Sequence, residues 1–326
     1  MAPHVYPGAM SHTPLMLSAL ATSAVPGFQA VSAQSLSTPQ RDAALVYDAN
    51  GLVWLVELPR TQTEDELMAQ QRASVKALTE GLRSRLTFRV PKVHGTTDVG
   101  GKTLSVSEYL PGQELRPADI SPILATGVGT ALSEIHQLPV STLMDFDRPA
   151  DSALDSLREC AGVVDRAAAT ALLPQSLLRR WETACEDAAL WQFEPTVIHG
   201  LMQSSRFLRE GEAVVAIDEW REFKTGDPAR DLAWLTTPSA SAFVNAVMTS
   251  YRSGRPQADR HVLQRARLWA ELDIARWLLH GIDSDQEKIV EDATEMLQTL
   301  NDRVSGDMDQ ALTMPISHNK HPLAPK

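Results

Sequence analysis

Residues 195–220 read PTVIHGLMQSSRFLREGEAVVAIDEW. The apolar runs are short and broken by turn residues, the mark of strands rather than of a helix. "TVI" predicts a strand, His199-Gly200 a tight turn, and "AVVAI" a second strand ending at a carboxylate, Asp218. The whole stretch from 196 to 218 is expected to form one hairpin. Its surroundings are helical, so it is a β element embedded in a helical region.

Upstream the pattern changes. Residues 28–60 read as strands, and ALVYDANGLVWLVELP (44–59) holds two apolar runs around Asp48-Ala49-Asn50-Gly51, a hairpin signal. TEDELMAQQRASVKALTEGL (63–82) reads as a helix opened by a capping box from Thr63 to Glu66. FRVPKVHGTTDVGGKTLSVSEYLPG (88–112) gives two more strands around Gly100-Gly101. From residue 119 helical periodicity takes over: 119–138, 152–173, 174–191, 239–254 and a long run from Asp259 to Val304. The fold class is therefore α+β in two lobes: a small antiparallel-sheet lobe and a larger helical one. The predicted boundaries are an N-terminal segment with a short helix (1–27), a strand-rich lobe (28–112), a helical lobe with the embedded hairpin (113–306) and a disordered tail (307–326). A cleft between two such lobes suits a ligand of moderate size, and YLPGQEL (109–115) suits the connector beside it.

LMLSALATSAVPGFQAVSA (15–33) has the apolar run and small residues of a signal peptide, but no Lys or Arg precedes it. Leu17, Leu20, Ala21 and Val25 share one helical face, which predicts an amphipathic helix ended near Pro26-Gly27. Met10 is an alternative start, since residues 1–9 show no periodicity. A cytoplasmic location is expected, with no membrane span. The net charge of −11 argues against nucleic-acid binding, which needs a basic face. The two cysteines, Cys160 and Cys185, fit neither a metal spacing nor a disulfide framework, and read as reduced structural thiols.

The chemistry is carried by acids. Asp218 at a strand end is placed to hold Mg²⁺ against phosphate oxygens. GDPARDLAWL (226–235) follows, where Asp227 and Asp231 open a helix and satisfy a turn. There is no glycine-rich phosphate loop of the Walker type and no His/Cys cluster. His136 reads as a helix-packing residue and His199 as a hydrogen-bonder of its turn.

In this order "VIHG" (197–200), "AIDEW" (216–220) and "GDPARDLAWL" resemble the aminoglycoside and macrolide phosphotransferase family, small-molecule kinases with a protein-kinase-like fold. TPLMLSALATSAVPG (13–27) and RWETACEDAALWQFEPTVIHG (180–200) look like an actinobacterial branch related to macrolide phosphotransferases. The resemblance implies ATP or GTP with Mg²⁺ and a small-molecule hydroxyl as acceptor. It also implies degenerate catalytic motifs. The family's catalytic Asp, after His-Gly, falls at Leu201, and its second metal ligand falls at Arg206. The phosphate-binding cation of the third strand falls at Glu57, and that cation's acidic helix partner at Gln71. Asp218 remains of the metal set, with Asp227 and Asp231 in the supporting turn. The reading is a catalytically impaired pseudokinase that binds a small molecule or a protein partner, with nucleotide binding weak or absent. The alternative is an active ATP- or GTP-dependent phosphotransferase using Glu219 or Glu222 as a substitute base.

Overall fold

The computed structural model describes residues 11–116, 119, 121–236, 241–304 and 312. The expected tail (307–326) falls outside these apart from Leu312, as does the segment before residue 11. Two compact units divide the chain. The first comprises Met1–Ala150, Thr196–Thr225 and Ala240–Pro256, and the second Asp151–Pro195, Gly226–Ser239 and Gln257–Lys326.

The first unit begins with helix α1 (Pro14–Ala24), capped by Thr13, whose side chain accepts from the Met16 N–H. Strands β1 (Ala30–Ser35), β2 (Arg41–Asp48) and β3 (Val53–Pro59) follow, then helix α2 (Gln62–Ala77) and the short turn α3 (Glu80–Arg83). Strands β4 (Val93–Val99) and β5 (Lys102–Glu108) complete a five-stranded antiparallel sheet in the order β1-β2-β3-β5-β4. The predicted turn forms as its residues dictate: Asp48 accepts from the N–H groups of Asn50 and Leu52, and Gly51 has a φ of +79°. It sets the register Val46 opposite Trp54 and Ala44 opposite Val56, which turns these side chains into one core face. Leu17 and Ala21 of α1 lie wholly buried against that face, beside Trp54, Leu104 and Val106. An added Cβ at Gly95 would overlap the Ala24 carbonyl, so β4 has a glycine where the end of α1 lies against it.

Two local expectations change. The cap of α2 is Thr61, whose side chain accepts from the Glu64 N–H, and not Thr63. The stretch 196–218 is not a single hairpin. Strand β6 (Gln113–Glu114) pairs with β8 (Phe207–Glu210), which pairs with β9 (Ala213–Ile217), while β7 (Thr196–Ile198) pairs with β10 (Lys224–Gly226). The hairpin turn is therefore at Gly211 (φ +58°), and the His199-Gly200 turn leads instead into a 3₁₀ turn at Ser204–Arg206. Helix α4 (Pro122–His136), capped by Ser121, packs on α9 (Ser241–Gly254), with the short turn α5 (Ser141–Met144) between them in sequence. His136 is buried there, its Nδ1 2.8 Å from the Tyr251 hydroxyl.

The second unit is helical: α6 (Ala153–Ala169), α7 (Gln175–Glu186), the single turn α8 (Ala229–Leu232), α10 (Val262–Asp283) and α11 (Glu287–Val304). Ser152 and Asp155 form a reciprocal capping box on α6. The predicted long run breaks after Asp283, where Asp285 takes a φ of +51°. No helix among the described residues is long and apolar enough to cross a membrane.

Candidate active site

A cleft of about 290 Å³ opens within the first unit. Its walls are β3 (Leu55, Glu57), α2 (Met68, Gln71, Arg72), the segment Glu108–Gly112, and the residues that follow β9, Asp218 and Glu219. The structure thus brings together Glu57, Gln71 and Asp218, together with the expected connector.

Asp218 sits where β9 ends. Its N–H donates to the Arg206 carbonyl at 3.1 Å, and its Oδ1 accepts from the Glu219 N–H at 2.7 Å. Glu219 adopts the left-handed conformation (φ 63°, ψ 51°), uncommon for a side-chain-bearing residue, and turns the chain sharply at the cleft. Burial pushes the Asp218 carboxyl up to about 6. The Glu219 N–H bond works against this, the charges of Glu219 and Glu57 reinforce it, and Arg206 opposes it.

The loop before it hangs on a buried histidine. His199 Nε2 is 2.8 Å from the Asp218 carbonyl, and the Leu201 N–H donates to Nδ1 at 3.3 Å. A carbonyl at one nitrogen and an N–H at the other assign the neutral Nε2–H tautomer, with both ring nitrogens engaged. Gly200 has a φ of +85°, and an added Cβ would overlap the Glu222 carbonyl, so this position demands glycine. Leu201 is partly exposed, and Met202 after it is buried. Leu201 and Arg206 are not among the residues that line the cleft. The Arg206 Nε is buried without a hydrogen-bond partner.

One cleft residue escaped the sequence reading. The resemblance sets Glu57 in the place of a phosphate-binding cation. Glu57 is paired with Arg41 of β2, whose Nη1 lies 2.8 Å from Glu57 Oε1. The Arg41 Nη2 lies 2.5 Å from Oε1 of Glu64, on the first turn of α2. A sheet cation therefore does meet an acid of α2, but from the neighbouring strand and through Glu64; Gln71 Oε1 is buried with no hydrogen-bond partner. The signal was present: with Ala43 opposite Glu57, Arg41 lies on the same face, one diagonal away.

Asp227 and Asp231 belong to the second unit. Asp227 is buried and accepts from Arg265 Nε (2.9 Å) and Nη2 (3.0 Å), from Trp269 Nε1 (2.9 Å) and from the Ala229 N–H (2.9 Å). Arg265, fully buried and bonded also to Asp259 and the Leu190 carbonyl, was not foreseen. Asp231 is fully buried in α8.

The model of the phosphotransferase enzyme family matches residues 40–293, most of the chain. The protein belongs to this family. No curated protein sequence matches it. Among solved structures, the macrolide 2'-phosphotransferase MphH apoenzyme from Brachybacterium faecium is 18% identical with a TM-score of 0.73, covering 87% of this chain and 97% of that one. The GDP complex of wild-type aminoglycoside 2'-phosphotransferase-IIIa is 18% identical with a TM-score of 0.70, covering 88% and 98%. The streptomycin–ATP ternary complex of APH(2")-IIa is 17% identical with a TM-score of 0.60, covering 83% and 92%. The shared fold is the kinase-like α+β arrangement, as the sequence motifs implied.

The family implies a metal–nucleotide, and the residues present offer it little. Among the described residues no group of three or more His, Cys, Asp or Glu is arranged to hold a metal ion. Asp218 offers one carboxylate, whose proton affinity burial raises. Arg206 holds the place that the resemblance gives to a second ligand, and the guanidinium of Arg41 is held by two carboxylates. These residues do not make a full metal–nucleotide set.

Proposed function

We propose that this family member is impaired in phosphoryl transfer and uses the cleft to bind a small-molecule ligand. The observation that carries the reading is the loop at His199. The position that should present a proton acceptor to a substrate hydroxyl presents the aliphatic Leu201, and both His199 nitrogens are engaged by backbone. Phosphoryl transfer rests on positioning and on neutralising charge at the phosphates, and here the cations of the cleft wall stand beside carboxylates, Arg72 3.4 Å from Asp65 and Arg221 3.5 Å from Glu219. Arg41 stands against Glu57 and Glu64, while Asp218 and Glu219 add further negative charge. Neighbours in the same fold were solved with GDP, with ATP and with streptomycin or kanamycin; for this chain the reading keeps the small molecule and weakens the nucleotide. The test is transfer of label from γ-labelled ATP and GTP to macrolides and aminoglycosides, with an active family enzyme run beside it. Counts at background are expected, and robust turnover ends the reading.

An active enzyme is the second reading, and one observation favours it. A carboxyl raised to about 6 sits in the cleft at Asp218, in the range where a general base works near neutrality. In that case Asp218→Asn abolishes a turnover that the native chain shows.

A further inference from the structure

The two cysteines of the chain, read separately from sequence, are brought together by the fold. Cys160 lies midway along α6 and is fully buried. Cys185 is the penultimate residue of α7 and is partly exposed. Their sulfurs are 3.1 Å apart. The geometry assigns Cys160 and Cys185 as a disulfide-forming pair, oxidised by a low-molecular-weight disulfide that enters at Cys185.

A disulfide needs the sulfurs at about 2.05 Å, so an approach of about 1 Å between two side chains already in contact completes it. These are the chain's only cysteines, which leaves a single intramolecular pairing. Exposure sets the order of events. Cys185 is partly exposed and Cys160 is not, so the first sulfur to react is Cys185. The thiol bond supports the same order: the Cys160 S–H holds the Cys185 thiol below its ordinary value, despite burial and the nearby carboxylates of Asp165, Glu182 and Glu186, while the Cys160 thiol is pushed up. The chemistry balances in two exchanges. The Cys185 thiolate attacks one sulfur of RSSR, giving the mixed disulfide Cys185–S–SR and RS⁻. Cys160 then gives up its proton and attacks Cys185 Sγ, forming the Cys160–Cys185 bond and expelling a second RS⁻. Two protein thiols are oxidised and one RSSR is reduced to two RSH once protons are returned. The bond ties α6 to α7 and shortens the free chain between them in the unfolded state, which raises stability.

The test treats the full chain, freed of reductant, with excess oxidised glutathione. The free-thiol count after denaturation is expected to fall from two to none, with the loss of two hydrogen masses and no glutathione adduct. Peptide mapping should link the segments holding residues 160 and 185. The melting temperature should rise by several degrees and return on adding dithiothreitol. Cys160→Ala should stop at one glutathione on Cys185, and Cys185→Ala should take none. Two free thiols remaining in the treated native chain, a stable glutathione adduct on it, or a disulfide-linked dimer on a non-reducing gel would each overturn the assignment. Because the deciding count is made on the unmodified chain, a variant that fails to fold does not blunt the test.

Discussion

Leu201 keeps part of its surface in water, and this decides what a restored acid there can do. A buried aspartate would cost several kcal/mol, but a partly exposed one should change stability by no more than about 1 kcal/mol. Leu201→Asp is therefore expected to fold as the native chain does. It should still transfer phosphate at background level, because Arg206 still stands in the place the resemblance gives to a metal ligand and Arg41 stays paired with Glu57 and Glu64; melting curves and labelled-nucleotide assays read both. Adding Arg206→Asn should give at most partial recovery. Glu57→Lys is a poorer repair than the motif suggests, since it would set a second cation against Arg41 and leave two like charges where an ion pair stood. Asp218 makes a separate prediction at the same scale. Its carboxyl is raised to about 6 when folded, so between its unfolded value and 6 the native state binds the extra proton. Stability then falls as pH rises through that window, and the cost is complete above it, amounting to roughly 3 kcal/mol for a shift of about two units. Asp218→Asn should melt higher than the native chain at pH 7, and the gap should close as the pH approaches 4. An equal gap at both pH values would contradict the assignment.

At the scale of elements, the Arg41–Glu57–Glu64 cluster joins β2, β3 and the first turn of α2. The Arg41 side chain is 28% exposed, and those of Glu57 and Glu64 are 16% and 9% exposed. The loss in Arg41→Ala should therefore lie between those of a surface pair and a buried one, about 1–3 kcal/mol. Arg41→Ala with Glu57→Ala should recover part of that loss, because one stranded carboxylate is removed with its partner; denaturant titration of the four chains measures the coupling. In the second unit, Arg265→Ala leaves Asp227 buried without its guanidinium, and a loss of about 3–5 kcal/mol is expected. Much at this scale was legible. The Asp48–Gly51 turn announced the β2–β3 hairpin, and counting outward from it would have placed Arg41 beside Glu57. Other features were not. Thr61 and Thr63 each stand three residues before a Glu, so the cap of α2 was degenerate in sequence. Period-2 alternation identified the strands of 196–218 but carries no information on partners. The pairing of β7 with β10 joins residues distant in sequence, and the turn between β8 and β9 lies at Gly211, with its positive φ, not at His199-Gly200.

For the whole molecule, the cleft's charge argues for weak nucleotide binding. At about 1 mM Mg-ATP or Mg-GTP, a dissociation constant of that order stabilises by only about 0.4 kcal/mol. The melting temperature should then move by no more than about 2 °C. Micromolar affinity by calorimetry that vanishes in Asp218→Ala would contradict this. The order of strands followed by helices was readable because the hydrophobic period changes near the connector. The division into compact units was not, because residues 196–225 and 240–256 return to the first unit after the chain has entered the second. No local pattern signals such a return; only the packing of α4 on α9 and the pairing of β6 with β8 reveal it.

Helix α1 carries a consequence for biosynthesis. It is synthesised before the sheet that covers it, PLMLSALATSA has no charged residue, and Leu17 and Ala21 are covered by strands made later. About 90 residues separate Leu17 from Val106, so at about 5–20 residues per second its apolar face waits roughly 5–20 s for its partner strand. During that interval the nascent chain presents a neutral, sticky helix to its surroundings. Trigger-factor-like holdases should therefore crosslink to arrested chains that end before β5, and release those that extend well beyond it.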